Sequence, residues 1–145
     1  MKFMHLTLLG LMGILTNSAY ADVLEQRCLQ LEKDCLYVAL QQRDKAKIIH
    51  LLAEYPATQV QKKPEILDQL LAQVPLTDPI SVEVPMDMEK FKSKNEQQME
   101  RMYFYIYPDH AVRMRIIYDS LKPDAKVTGF WLMKIDPNQA ISEQK

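Results

Sequence analysis

Cys28 and Cys35 are the only thiols in the chain, and seven positions separate them. In an unbroken helix that spacing is ~10 Å of rise, beyond the ~7 Å Cα separation a disulfide tolerates. Either the helix breaks near Glu32-Lys33-Asp34 and the two bond, or it runs through and they stay core thiols or bond between chains. Paired cysteines in an exported chain usually oxidise, so a Cys28–Cys35 disulfide is the expectation. Neither lies in a C-x-x-C setting, which argues against a catalytic thiol. His50 and His110 would need a thiolate or carboxylate brought from elsewhere to hold zinc. Asp109-His110 has the composition of an acid–base pair but sits where turn residues belong. No nucleophile elbow or Ser-His-Asp order is visible. Met86-x-Met88 and Met99-x-x-Met102 offer thioethers at spacings suited to copper(I). The same methionines also alternate with polar residues as gap-filling strand residues do. The expectation is therefore no catalytic residue, no metal and no cofactor.

The second chemical feature is the stretch MYFYIYPDHAVRMRIIYDS, residues 102 to 120, in which apolar residues alternate with Tyr and Arg around Pro108-Asp109. Read as strands over about 101–107, 111–119 and 126–135, it divides into two faces. Met102, Phe104, Ile106, Val112, Met114, Ile116, Tyr118, Val127, Gly129, Trp131, Met133 and Ile135 are expected to form the core face. Arg101, Tyr103, Tyr105, Tyr107, Arg113, Arg115, Ile117, Thr128, Phe130, Leu132 and Lys134 fall on the other. Tyr and Arg are enriched in interface hot spots because each combines large area with a polar end. Arg101, Tyr103, Tyr105, Tyr107, Arg113, Arg115, Phe130 and Lys134 are accordingly the candidate binding residues. A homodimer or another envelope or secreted protein is the expected partner. A sheet face covered by its own Arg stems is the plainer reading, and an anionic glycan or nucleic acid is a third. The near-neutral formal charge of −1 gives no overall field for polyanions, so no nucleic-acid partner is expected.

The elements that must position these residues begin with helices. Leu24, Cys28, Leu31, Cys35 and Val38 alternate at spacings of four and three, the seam of an amphipathic helix. Asp44 can cap a helix carrying Ile48, Ile49, Leu51 and Leu52, with Pro56 closing it. Another starts at Pro64 and places Ile66, Leu67, Leu70, Leu71 and Val74 on one side. From Ile80 the period falls to two through Met88, a half-buried strand in which Pro85 favours a sheet edge. Residues 90 to 98 are polar and predict a loop, with a helix running into Met99 and Met102 as the alternative. Helices first and an antiparallel meander after them predict an α+β domain, its N-terminal helices packed on one face of a three- to four-stranded antiparallel sheet.

The N-terminus carries an address. Lys2, the apolar run Phe3 to Leu15 and Ala19-Tyr20-Ala21 have the order of a secretory signal peptide cleaved before Asp22. No other stretch approaches the ~20 apolar residues of a spanning helix. The expectation is a cleaved segment 1–21 and a single domain over 22–145, periplasmic or secreted. Gly129 is the only glycine in that domain, which excludes Gly-rich phosphate loops.

Two segments, QQRDKAKIIHLL and the closing KVTGFWLMKID, give the chain a likeness to a known family. It resembles small exported members of the cystatin-like, nuclear transport factor 2-like superfamily. That resemblance implies an α+β roll that often dimerises through its sheet. Enzymes of the superfamily place an Asp or Tyr in a pocket between helices and sheet. On the expected core face only Tyr118 qualifies. The expected function is a non-catalytic binding or assembly module acting through a Tyr/Arg-rich sheet face. The alternatives are a small enzyme or ligand-binding protein using such a pocket, and a secreted virulence-associated factor.

Overall fold

A computed structural model describes residues 35–83, 87–122 and 124–142. Cys28, Met86 and the expected signal segment lie outside the described residues. Four short helices come first: α1 (Leu36–Gln41), α2 (Lys45–Leu51), α3 (Glu54–Lys62) and α4 (Pro64–Leu71). Strands β1 (Ser81–Glu83), β2 (Asp87–Lys92), β3 (Gln97–Ile106), β4 (Ala111–Asp119) and β5 (Val127–Ile135) follow, and α5 (Pro137–Ser142) closes the chain. The fold is α+β with a five-stranded antiparallel sheet, more strands than expected.

Local chemistry accounts for the helix ends. Asp44 accepts from Lys47 N at 3.0 Å, the side-chain cap expected of it. Pro64 is the first residue of α4, where its missing donor costs nothing. Pro56 does not end a helix; it lies in the first turn of α3, among amide groups without intrahelical partners. Arg43, between α1 and α2, has φ 58°, the left-handed region that closes helices. Its guanidinium donates to the carbonyls of Leu40 (2.9 Å), Leu71 (3.0 Å) and Val74 (2.7 Å), tying the C-terminal ends of α1 and α4 together.

The sheet is built around β3. β4 lies along one side of it and β5 beyond β4, while β1 and β2 share its other side, β1 opposite residues 104–106 and β2 opposite 97–101. Residues 90–92 and 97–98, expected as loop, are therefore strand, with Ser93 N donating to Glu96 O (2.7 Å) at the turn. The Pro108-Asp109 hairpin pairs Ile106 with Ala111, Tyr105 with Val112 and Tyr103 with Met114. Odd residues of β3 thus share a face with even residues of β4. β4 and β5 pair even with even, Met114 with Leu132 and Ile116 with Phe130, until a bulge beside Tyr118.

This register overturns the expected division of faces. Tyr103, Tyr105 and Tyr107 are 3%, 1% and 3% exposed. They belong to one hydrophobic cluster with Val112, Met114, Ile116, Leu132 and Val127, and with Leu36, Leu40, Ile48, Leu51, Val60, Leu67 and Leu71 of the helices. Phe130 packs against the same cluster. This is the tyrosine face. Trp131 and Met133, expected inside, are each 50% exposed. They share the opposite, arginine face with Arg113 and Arg115, their register partners on β4, with Gly129 of their own strand, and with the even residues of β3. There Phe104, Ala111 and Ile135 form a small second cluster bordered by Met102 and Ile106.

Candidate functional site: the two faces of the sheet

The eight residues expected on one binding surface are divided between two faces. Arg101, Tyr103, Tyr105 and Tyr107 lie on the tyrosine face, with Phe130 and, at its margin, exposed Lys134. Arg113 and Arg115 alone lie on the arginine face. The physical reason is the hairpin: a turn centred on Pro108-Asp109 forces odd–even pairing, and a one-residue change of parity moves every side chain across the sheet.

On the tyrosine face the rings are structural. Tyr37 of α1 lies flat on Tyr105, centroids 3.4 Å apart, and Tyr105 neighbours Tyr103 at 6.0 Å. The hydroxyls of Tyr37 and Tyr107 bond at 2.8 Å, so these two buried phenols partner each other. Burial pushes the Tyr37 hydroxyl far above its usual range, and the Tyr107 bond adds to the shift. Burial also raises Tyr107. Tyr107 continues the row onto His110, stacked at 4.9 Å, whose Nδ1 lies 2.7 Å from Asp109 Oδ1. That bond lowers the Asp109 carboxyl. Arg101 forms a two-pronged pair with Asp87 (2.6 and 2.7 Å) and lies over the Tyr118 ring at 5.8 Å.

The arginine face has a charged centre and apolar surroundings. The Glu100 side chain is 2% exposed and receives Arg115 through Nε (2.9 Å) and Nη2 (3.1 Å), with Lys90 Nζ at 2.9 Å. The Arg115 bonds hold the Glu100 carboxyl below its ordinary range against the opposing effect of desolvation, and Lys90 adds to the lowering. Arg115 is raised in turn by Glu100. Two cations against one buried carboxylate leave this centre with a net positive charge.

The Arg115 guanidinium also lies 5.3 Å over Trp131. The Trp131 ring covers Gly129, where an added Cβ would come within 3.2 Å of it. Arg113 Nη2 reaches Met133 Sδ at 3.5 Å. Met88, opposite Glu100, and Phe91, opposite Gln98, are 36% and 51% exposed and extend the apolar border. Sequence reasoning missed Glu100, Lys90 and Phe91, and took Met88 only as a thioether or a gap-filling strand residue. The signal that could have found them is the hairpin parity, which sets Glu100 on the face of Arg115.

No comparison identifies the chain: neither protein families, curated proteins nor solved structures give a match. Chemistry must therefore be read from the geometry. Among the described residues, no three of His, Cys, Asp and Glu come together as metal ligands would. Met99 and Met102 point to opposite faces of β3, so they do not converge on one metal, and Met86 lies outside the described residues. Cys35 is buried at the start of α1, and there is no free cysteine among the described residues. Its expected pairing with Cys28 falls outside them. No described helix is long and apolar enough to cross a membrane.

Proposed function

We propose that the chain is an exported, non-catalytic assembly module whose helices cover the tyrosine face and which joins a second copy along the sheet, with the Trp131 and Met133 margin of the arginine face at the contact. The observation that carries this reading is the pairing of a pre-ordered, net positive charged centre with exposed Trp131, Met133 and Phe91 on one sheet face. Such a surface offers apolar area at low ordering cost, since Arg115 and Lys90 are already held by Glu100. Nothing on it is arranged to hold a proton against a substrate. Its two buried acids are already engaged, Glu100 by two cations and Asp119 by the amides of Gln97 and Leu121.

Export through a segment cleaved before Asp22, residence in the periplasm or beyond, and a Cys28–Cys35 disulfide complete the proposal. The likeness to the nuclear transport factor 2-like superfamily is part of it and rests on residues 41–52 and 126–136.

Light scattering of the exported chain over a range of concentrations tests the central claim. Association up to about 100 μM is expected, an affinity of ~5 kcal/mol or better. A monomer at that concentration would overturn the self-association reading.

A further inference from the structure

The two edges of the sheet are built differently. On one, β1 is three residues long and β2 carries Asp87, Glu89, Lys90 and Lys92 with a register break between Glu89 and Phe91. Short strands, charges and bulges are the devices that keep an edge from pairing with another chain. The other edge is β5, VTGFWLMKI, nine residues with no proline and one charge, Lys134. Among the described residues, only its beginning is covered: Ala53 N donates to Val127 O at 2.8 Å, and Leu52 bridges Val127 in parallel. Beyond that point, no described residue hydrogen-bonds to the outer side of Gly129 to Ile135. A long apolar edge of this kind presents a row of backbone groups ready for another strand.

We propose that two copies pair antiparallel through β5, about a two-fold axis at Trp131, and so join their sheets into one. This rests on the self-association reading above and specifies its geometry: edge to edge rather than face to face. A second copy suits this edge for three reasons. A two-fold contact sets the same strand against itself, and with Trp131 on the axis Lys134 falls opposite Thr128 of the other copy, so like charges do not meet. Phe130 falls opposite Leu132, apolar against apolar on the tyrosine face. Met133 falls opposite Gly129, the position its own Trp131 ring covers, so a thioether lands on an indole. The arginine faces then lie side by side, with both Trp131 rings at the seam.

The test combines sedimentation, hydrogen exchange and cross-linking on the full chain recovered after export. Exchange at the outward-facing amides of residues 129–134 is expected to slow as concentration rises through the association range. Trp131→Cys should form a chain-to-chain disulfide under mild oxidation that the wild type does not, because facing residues on the axis lie within disulfide reach. Met133→Lys, at a position already half exposed, should weaken association at least about 10-fold with an unchanged fold. If Trp131→Cys does not fold, exchange and Met133→Lys decide. Association with unchanged exchange in β5 and no effect of Met133→Lys would overturn edge pairing while leaving self-association standing. A wild-type monomer at about 100 μM would overturn both.

Discussion

Glu100 carries the chemistry of the arginine face, and its ionisation has a definite sign. Its folded carboxyl titrates below the ordinary range because Arg115 and Lys90 bond the charged form. As pH falls, the unfolded chain takes up this proton first, so the contribution is fully present above the unfolded value near ~4.3. It is lost as pH descends through the lower folded value. Glu100→Gln is expected to cost about 1–3 kcal/mol at neutral pH. The gap to wild type should close in acid, as read by urea unfolding at several pH values; a constant gap would contradict the ion-pair account. The buried phenols work in the opposite direction. Tyr37 and Tyr107 stay protonated in the folded chain while their unfolded counterparts ionise near ~10, so stability falls as pH rises past that point. Ultraviolet titration should show both ionising only on unfolding. Tyr37→Phe, which strands the Tyr107 hydroxyl, should cost about 1–3 kcal/mol. Tyr105, stacked on Tyr37 and 1% exposed, is a core residue, so Tyr105→Asp is expected to unfold the domain rather than dissociate it.

Among the elements, the helices depend on one side chain to a degree that their lengths explain. α1 has six residues and α4 eight, too few to be stable alone, and Arg43 ties their last carbonyls together. Arg43→Ala should lose these charged hydrogen bonds at about 2–3 kcal/mol while keeping a Cβ in the left-handed region. Arg43→Gly loses the same bonds but relieves that strain. It should therefore be the less damaging of the two by about 1 kcal/mol in thermal or urea unfolding. In β5 the corresponding position is Gly129, beneath Trp131. Gly129→Ala should lift the ring and shift Trp131 fluorescence to the red, with a stability change below ~1 kcal/mol because the ring is half exposed. An unshifted spectrum would mean the ring does not rest on the strand.

For the molecule as a whole, the predictions concern processing and assembly. Intact mass of exported protein should correspond to a chain starting at Asp22, and full-length 145-residue protein in the envelope fraction would contradict the signal peptide. Thiol counting on the unfolded, unreduced protein should give none. Edge pairing relies on backbone hydrogen bonds and apolar contacts, so association should change little between low and high salt. A face-to-face contact of two positively charged centres would strengthen with salt instead.

Composition and period were enough to predict helices before strands, the Asp44 cap, the start at Pro64, the three long strands and the turn at Pro108-Asp109. Each of these depends on groups close in sequence: a side chain and an amide three residues on, a proline ring, a two-residue period. The residues of the candidate surface are a different case. Alternation divides each strand into two sets, but which sets meet depends on how the strands pair. The tyrosines of β3 could equally have lain beside Arg113 and Arg115. Pro108-Asp109 contained the missing parity, since a turn centred there pairs Tyr105 with Val112. The bulge beside Tyr118, which returns Val127 to the core, left no mark in the residue pattern. Pro56 shows the same limit in the helices, because a proline marks a first turn as readily as a stop. Tertiary pairing alone placed Glu100 between Arg115 and Lys90, turned Trp131 outward over Gly129 and put β5 at an edge that no described residue hydrogen-bonds beyond Val127. Those outcomes follow from contacts between residues far apart in the chain, whose energies no local pattern records.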